Sequence, residues 1–513
     1  MSSEEELELL LWLDIQAGDY DRAYAALTRL LTVVEEPVAR GRLETALGIM
    51  LQRAGLTADA RESYSRALAL IGESEADRAF ALAMASMASA LVGELDVARA
   101  EADEAAALGE SAGALFAVGQ AHVTLTIVHL GRSRPHEALA AAERAVAVDA
   151  EGPGQAEFLS TAHVMKGMAL AELDRLEEAY AAIDLGIAMA QEQGDTGQLA
   201  WYHASLALLH FVHGSWEEAR AAAGAALDHA TRTGALVATG LAAGIAACVE
   251  AYRGNTSSAR ELITRGTSSR PGQFGGLGGE WVALATAATA DDADDRFAAL
   301  CDAWFRLRGV PYQLAWKVAA HPLIVAALDR GDVALAEAVE RRVAEGAARA
   351  GDVASARATA LVCRGSLLGS RDLLEEGVAL LRTSGRPLAL GYACREAGHL
   401  AHAAGDTTRA VELLNEAADV FHALGATTWS ASVTRDLIAA TVSPAAAPSQ
   451  SEAWSRLTGA ERRVAELVIE GKTNRQIAAE LGLSPRTVQS QLASASERLG
   501  VGSRVQLAAL LAQ

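Results

Sequence analysis

The sequence predicts an all-α protein, in which a long solenoid of antiparallel helix pairs precedes a small domain of four helices. A turn residue followed five positions later by alanine recurs at nearly constant intervals. Helix start and stop signals lie close together in residues 451–513. Hydrophobic residues make up 51% of the 513 positions and aromatic residues only 5%, which favours closely approaching helices with small side chains at their crossings.

The recurring turn signature defines the repeats. Successive turn residues are separated by 37, 38, 40, 41, 40, 40, 77 and 74 positions. A unit of 37–41 residues is typical of paired antiparallel helices that stack into a superhelix. The last two intervals are about twice the unit, so we expect one degenerate repeat within each. The signature occurs as Gly18…Ala23, Gly55…Ala60, Gly93…Ala98, Ser133…Ala138, Asp174…Ala179, Gly214…Ala219, Gly254…Ala259, Gly331…Ala336 and Gly405…Ala410.

Residues 173–180 and 214–220 resemble tetratricopeptide repeats with longer loops. The prediction for residues 1–439 is therefore a tetratricopeptide-like α-solenoid, and an irregular all-α domain is the alternative. Residues 267–280 are rich in glycine, serine and proline, which predicts a break in the array. Residues 440–453 contain two prolines and little periodicity, which predicts a linker to a domain at 454–513.

Aromatic residues are concentrated just beyond the predicted break. Seven of the 24 lie within residues 274–316. Aromatic side chains bury large areas and dominate interfaces. One hypothesis is an effector pocket on the concave wall of the repeats, and the other is a core patch that fills a distorted repeat. The candidate pocket residues are Trp281, Trp304, Phe305, Tyr312 and Trp316.

The first two helices of the tail are predicted from their starts. Thr458 and Glu461 have the T-x-x-E spacing of a capping box, so a helix begins after Leu457. Thr473 and Gln476 form a second such pair, which predicts a short helix. Gly482 lies in the turn that follows.

A third helix begins at Ser484, with Pro485 at its first position, where a missing N–H costs nothing. Its predicted buried stripe has helical spacing, and a fourth helix is expected from about Arg504 to Leu511. Two short helices joined through a glycine-containing turn match a helix-turn-helix unit. The alternative is one more hairpin of the array. The stripe consists of Val488, Leu492, Ala495 and Leu499.

The order of residues in this tail resembles the LuxR-type (GerE) DNA-binding domain. The resemblance covers about an eighth of the chain and implies a transcription regulator that binds double-stranded DNA. It is carried by Leu457, Thr458, Glu461, Glu470, Gly471, Thr473, Asn474, Ile477, Ala478, Leu481, Leu483, Ser484, Thr487, Val488, Leu492, Leu499, Gly500, Val501, Ser503 and Arg504.

The resemblance also implies which residues contact DNA. Gln489, Ser490 and Ala493 correspond to residues that face base edges, and helix geometry turns them outward if Val488 and Leu492 face the core. The alternative for the arginines among the implied phosphate contacts is that they are only solvated surface charges. The implied phosphate contacts are Thr473, Asn474, Arg475, Ser484, Arg486 and Thr487.

Two departures from the family pattern bear on affinity. Gln491 stands where many members have histidine, and the outward face lacks the lysine often found there. We therefore expect modest affinity for each domain and a homodimer or a second protein on DNA. Leu507, Leu510 and Leu511 are candidate dimer contacts.

The whole chain resembles the large LuxR-family regulators whose sensor is a tetratricopeptide-like superhelix. Those regulators usually carry an ATP-binding domain before the repeats. Here Gly471, Lys472 and Thr473 look like the end of a phosphate loop, but Glu466 stands where its first glycine is required. This sequence starts directly in the predicted repeats and shows no phosphate loop, so we do not expect the ATP-driven switching of those regulators.

Charge and composition exclude several other classes. The net charge is −21, yet residues 451–513 carry eight basic and six acidic side chains, which leaves −23 on the rest of the chain. Such an acidic body repels DNA. The four cysteines form no C-x-x-C, and the histidine pairs have no nearby carboxylate or thiol, so we predict no metal and no cofactor.

The location is predicted from two further features. The acidic start lacks a signal peptide, and the longest run free of acidic, basic and histidine residues, 233–249, has 17 residues, fewer than a membrane span needs. We expect a cytoplasmic protein without a membrane partner. No nucleophile, base and orienting acid stand together in a recognisable motif, so we do not expect an enzyme.

Two functions are consistent with these features. The first is a transcription regulator whose repeats bind an effector (a peptide, protein or small molecule) and control the DNA-binding domains. The second is a repeat-based protein-interaction scaffold, in which the C-terminal domain mainly docks or dimerises and binds DNA weakly.

Overall fold

The computed structural model describes residues 20–149, 156–194, 196–233, 236–267, 278–307, 314–441, 450–470, 472, 474–499, 507–508 and 510–511. Within these ranges the chain forms 26 α-helices, one short 3-10 helix and no strand. The predicted all-α class is thereby confirmed.

The helices alternate with tight turns. Helices α1 to α11 are Tyr20–Val33, Pro37–Arg53, Thr57–Ile71, Glu75–Leu91, Leu95–Ala112, Leu115–Gly131, Pro135–Asp149, Ala156–Glu172, Leu176–Gln193, Thr196–His213 and Trp216–Thr233. After a 3-10 turn at Leu236–Ala238, helices α12 to α22 are Thr239–Tyr252, Thr256–Thr267, Gly279–Ala288, Ala293–Arg306, Trp316–Asp329, Val333–Ala350, Ala354–Leu368, Arg371–Leu381, Pro387–Ala403, Thr407–Leu424 and Thr427–Thr441. Helices α23 to α26 are Gln450–Arg456, Gly459–Ile469, Asn474–Leu481 and Pro485–Leu499.

The turn signature found in the sequence has a clear structural meaning. The six described glycines of the signature have φ between 74° and 91°, and Ser133 and Asp174 have φ of 56° and 60°. Each turn therefore uses the left-handed region, where glycine has no steric penalty. All nine alanines of the signature are 0% exposed, because they sit where the second helix meets its neighbours. Gly18 lies outside the described residues.

The two long intervals contain the expected degenerate repeats. Helices α14 and α15 lie between Gly254 and Gly331, and helices α18 and α19 lie between Gly331 and Gly405. In the second interval Gly369 supplies a turn with φ of 62°. Residues 268–277 of the predicted break lie outside the described residues.

The chain forms two compact units. The first comprises Met1–Ala251, Asn255–Cys363 and Leu380–Arg386, and the second comprises Tyr252–Gly254, Arg364–Ala379 and Pro387–Gln513. The domain boundaries predicted at 439 and 453 remain a prediction; α22 ends at Thr441 and α23 begins at Gln450.

The first unit is a stack of helix pairs. Contacts join α2 with α3, α4 with α5, α6 with α7, α8 with α9 and α10 with α11, and they also join each first helix to the next, as α4 to α6 and α6 to α8. Residues 117–128 of α6 are all buried. A helix that is buried on every side belongs to the interior, so α6 is an inner helix of this unit.

The second unit contains the last repeat helices and the C-terminal domain. Trp429 of α22 lies edge-on to Tyr392, with 4.7 Å between ring centroids, and stacks on Phe421 at 5.7 Å. Asp436 pairs with Arg395 at 2.6 Å, which ties α22 to α20. The C-terminal domain has its own apolar core, drawn from α23 to α26 and from the leucines after residue 506.

No helix in the described ranges is both long and apolar enough to cross a membrane.

Candidate nucleic-acid interface

The first element of the C-terminal domain is fixed by the predicted capping box. Glu461 N–H donates to the Thr458 hydroxyl at 3.3 Å, and Thr458 N–H donates to the Glu461 carboxylate at 2.8 Å. Glu461 is 5% exposed and also accepts from Arg498 Nε at 3.2 Å. Burial by itself would raise the pKa of Glu461, but the bonds from Thr458 and the charge of Arg498 outweigh it and lower the pKa.

The pair of Glu461 and Arg498 positions α26. Glu461 stands in the first turn of α24, whereas Arg498 stands in the last turn of α26. The ion pair therefore joins the start of one helix to the end of another. Sequence reasoning missed this contact, because 37 positions separate the two residues and no local pattern connects them.

The second short helix, α25, presents its apolar side to the core. Ile477 and Ala478 are 0% and 3% exposed. Lys472, just before this helix, pairs with Glu470 at 2.8 Å and Glu480 at 2.6 Å. Its charge is thereby balanced within the domain, so Lys472 is a weak candidate for binding phosphate.

The third helix, α26, begins as the sequence predicts. Thr487 N–H donates to the Ser484 hydroxyl at 3.0 Å, and the two hydroxyls lie 2.7 Å apart. Pro485 occupies the first helical position. Gly482, in the preceding turn, has φ of 66°. The predicted stripe of Val488, Leu492, Ala495 and Leu499 is buried.

The opposite side of α26 is exposed. Gln489, Ser490 and Ala493 all face solvent, and so does Arg486 in the first turn. Residues three and four apart on a helix share a face, so these side chains form one exposed surface, which is polar except for Ala493. The positive end of the helix dipole adds to the charge of Arg486 at the start of that surface.

The remaining predicted phosphate contacts are only partly described. Ser484 and Thr487 are exposed, and Asn474 is half-buried at the start of α25. The backbone of Arg475 lies in α25, but its side chain lies outside the described part of the structure, as does all of Thr473. The assignment of base and phosphate contacts remains a prediction.

Gln491, the departure from the family pattern, is half-buried on α26. Its Oε1 atom has no hydrogen-bond partner among the described residues. The residue does not belong to the exposed surface.

The three leucines proposed as dimer contacts have a different role. Leu507, Leu510 and Leu511 are 0%, 4% and 1% exposed and belong to the core of the domain. Trp454 Nε1 donates to the carbonyl of Leu511 at 3.0 Å, which fixes the end of the chain against α23. The expectation that these leucines form a dimer surface was wrong, because the domain needs them to cover its own interior.

The aromatic candidates for an effector pocket differ in exposure. Trp281, Trp304 and Trp316 are 1%, 7% and 5% exposed, whereas Phe305 is 64% exposed. The Trp281 ring packs edge-on against another aromatic ring at 5.4 Å, and an arginine lies 4.9 Å from the centroid of Trp304. These contacts favour the core-patch interpretation. Tyr312 lies outside the described residues, and the pocket remains a prediction.

The two histidine pairs of the sequence are His210 with His213 and His399 with His402. The expectation that neither pair has a carboxylate nearby was wrong for the second, because α22 brings Asp436 beside His399. The His210 ring lies 4.9 Å from Tyr180, and His399 Nε2 is 3.0 Å from the carboxylate of Asp436. Across the described ranges, no group of three or more histidine, cysteine, aspartate or glutamate side chains is arranged to hold a metal ion.

Capped helices, a tight glycine turn and an exposed third helix define a helix-turn-helix domain. The family described as bacterial regulatory proteins, luxR family (GerE), matches residues 455–511. The spore germination protein GerE of Bacillus subtilis is 44% identical over 50 residues, which cover 10% of this chain and 68% of GerE. The chain belongs to the LuxR family of bacterial regulatory proteins, and its C-terminal segment is the family's DNA-binding domain.

Two other proteins are similar to this chain. Mb0914c of Mycobacterium bovis, named as a candidate HTH-type transcriptional regulator, is 52% identical over 54 residues, which cover 10% of this chain and only 6% of that protein. A crystal structure of a Rap protein complexed with competence and sporulation factor aligns with a TM-score of 0.40 and 13% identity, over 85% of this chain and 97% of that one.

Proposed function

We propose that the protein is a sequence-specific transcription regulator, in which the exposed face of α26 enters the major groove of DNA. Gln489, Ser490 and Ala493 read base edges, while Arg486 neutralises a phosphate beside the N-terminus of the helix. The observation that supports this most directly is the exposure of all four side chains on a helix whose other side is buried.

In this proposal two copies of the C-terminal domain, called heads below, act together on DNA. Arg486 is the one positively charged residue among the proposed contacts of α26, since Arg498 pairs with Glu461. Arg475 of α25 is the one other arginine among the proposed phosphate contacts. A single domain therefore gains modest electrostatic affinity, and we propose that a cytoplasmic homodimer binds two half-sites. The repeats would bind an effector with unequal affinity for two arrangements of the chain and so bias the pairing of the heads.

Two alanine variants test the assignment of roles. Arg486→Ala should weaken binding to every duplex and reduce the salt dependence, because it removes a phosphate contact. Gln489→Ala should change the preferred base at one position, with a cost of about 1–3 kcal/mol on the best site. Affinity is measured on a duplex chosen by in vitro selection and on a random duplex, at several salt concentrations.

A matched control is Arg357→Ala, which removes the same charge from an exposed position on α18. Its affinity should equal that of the unmodified protein. If Arg486→Ala and Gln489→Ala have equal effects on all sequences, the division into phosphate and base contacts is wrong. Binding that does not weaken as salt rises would instead support the scaffold, in which the domain serves to dock or dimerise.

A further inference from the structure

The turn after α8 makes contacts far along the chain within the first unit. Glu172 contacts Lys317, 145 positions later. Asp174 contacts Ser355 and Arg386, which are 181 and 212 positions later. We call these five residues the seam, because they join two stretches of the array that are remote in sequence.

Lys317 is the centre of one half of the seam. Its ammonium group lies 2.9 Å from the Glu172 carboxylate, and it donates to the Glu172 carbonyl at 3.2 Å and to the Ser355 hydroxyl at 2.9 Å. The side chains of Lys317 and Glu172 are only 6% and 9% exposed. All three N–H donors of the lysine are therefore used inside the protein.

Asp174 is the centre of the other half. Its carboxylate accepts from Arg386 Nη2 at 3.0 Å and Nε at 3.1 Å, and from Ser355 N–H at 2.8 Å. Burial alone would raise the pKa of Asp174, but Lys317, Arg386 and Ser355 outweigh it and lower the pKa. The carboxylate is therefore charged when the seam is closed.

The turn at the seam has a residue other than glycine at its left-handed position. Asp174 and Ser133 occupy left-handed positions that the other described turns of the signature give to glycine. A side chain at such a φ is strained. Asp174 uses its side chain in the seam. Ser133 lies beside it in the stack, opposite Gly346 of α17, and Arg349 Nε donates to the carbonyl of Arg132 at 3.1 Å.

The closed seam leaves two of its hydrogen-bonding atoms without a partner among the described residues. Glu172 Oε1 and Arg386 Nη1 are buried without a hydrogen-bond partner among the described residues. A cavity of about 10 Å³ lies beside Glu172, Trp316 and Lys317. Buried ion pairs give little net stability when water can solvate the separated charges. Contacts within each helix pair, by contrast, bury alanines that are 0% exposed, and separating them gains no such solvation.

We propose that the seam is a latch: it opens to water as a unit while the helix pairs on either side stay folded. Solenoids allow this, because each repeat depends mainly on its neighbours. An opened latch gives the first unit a second arrangement. A ligand with unequal affinity for the two arrangements would shift their balance; that use rests on the proposed function, whereas the opening itself does not.

The amide of Ser355 reports directly on the latch. It stands in the first turn of α18, where N–H groups lack an acceptor within the helix, and its acceptor is Asp174 across the seam. In hydrogen exchange of the full chain without DNA, we expect this amide to exchange at least about tenfold faster than amides in the middle of α6. Asp174→Gly, which also relieves the backbone, should speed its exchange by a further factor of about ten while leaving α6 unchanged.

The control for this variant is Asp184→Ala, which removes an exposed carboxylate from α9 and should leave Ser355 exchange unaltered. A second variant locks the latch. A Cβ atom built on Gly346 lies 3.9 Å from Ser133 Cβ, which is within the range for a disulfide. Ser133→Cys with Gly346→Cys, in a Cys301→Ser background that removes the least buried native thiol, should form that bond on mild oxidation.

Oxidation of the locked variant should slow Ser355 exchange by at least about tenfold, and reduction should restore it. Three results would each overturn the latch. They are Ser355 exchange as slow as that of α6 with no change on oxidation, failure of the cysteine pair to cross-link, and loss of helix pairs throughout the unit in Asp174→Gly.

Discussion

Three histidines occupy the same position in consecutive repeats, eleven residues before the turn residue: His122, His163 and His203. The pKa of each is lowered, first of all by burial. For His122 the pKa falls to about 4, and Arg144 adds to the effect of burial. His122 is 8% exposed, and its Nδ1 has no hydrogen-bond partner among the described residues. The folded protein therefore keeps this imidazole neutral.

Replacing His122 tests this effect. The unfolded chain binds a proton at His122 near pH 6.5, whereas the folded protein binds it only near pH 4. Above pH 6.5 the imidazole is neutral in both states, and the free energy of unfolding has its full value. As the pH falls from 6.5 towards 4, the unfolded chain takes up the proton first, so the free energy of unfolding decreases by about 3 kcal/mol at most. His122→Leu, which copies Leu82 of the preceding repeat, should remove that part of the acid sensitivity. Urea unfolding at pH 7.5 and pH 5 measures it.

The control is Thr126→Val, which changes a buried residue one turn further along α6 without adding or removing a titrating group, so it should leave the pH dependence unchanged. An equal loss of stability on acidification in the unmodified protein and in His122→Leu would contradict the argument.

At the scale of helices, small residues determine how closely two elements approach. A Cβ atom at Gly48 of α2 would lie 2.4 Å from the buried Tyr64 ring of α3. A Cβ atom at Gly224 of α11 would meet nothing within 4 Å. Glycine therefore allows close packing of two helices at position 48, whereas at position 224 it only lowers the intrinsic stability of the helix.

Alanine at these two glycines should change stability in opposite directions. Gly48→Ala should destabilise the protein by about 1–3 kcal/mol, because the ring of Tyr64 must move within a packed core. Gly224→Ala should stabilise it by about 0.5–1 kcal/mol, since alanine restricts the unfolded chain and favours the helix. Thermal unfolding of the two variants side by side gives the comparison. Two changes of the same sign would contradict the role assigned to Gly48.

Much of the element-level structure could be predicted because its causes are local. The Thr458–Glu461 box, the Ser484 cap and the turn–alanine spacing each act within six residues, so they are visible in the sequence. The candidate DNA-binding surface could be predicted where its residues lie on a single helix, as Gln489 and Ser490 do on α26. The Glu461–Arg498 pair and the inward position of Leu507 were not predictable, since both depend on elements that meet only after folding.

At the scale of the whole molecule, charge is distributed unevenly: the tail is net positive in a chain of net charge −21. An acidic body opposes binding to a polyanion, so in the proposed regulator specific contacts and paired heads would supply the affinity.

Paired heads should be visible in the salt dependence. Each phosphate contact adds about −0.9 to the slope of log affinity against log salt on duplex DNA. A homodimer that uses both heads should therefore show a slope on a duplex with two half-sites about twice that on a duplex with one. Fluorescence anisotropy with the full chain measures both slopes. Equal slopes would indicate that only one head of the proposed dimer contacts DNA.

The sequence by itself determined the helices, their turns, the repeat length and the helix-turn-helix domain. Caps, glycine turns and periodic apolar residues act over a few positions, and their energies are nearly independent of the rest of the fold. Only the tertiary structure decided that three predicted pocket tryptophans are buried, that Leu507, Leu510 and Leu511 complete a core, and that Asp174 meets Arg386 across 212 positions. Such contacts depend on the accumulated geometry of many stacked repeats, which no short stretch of sequence encodes.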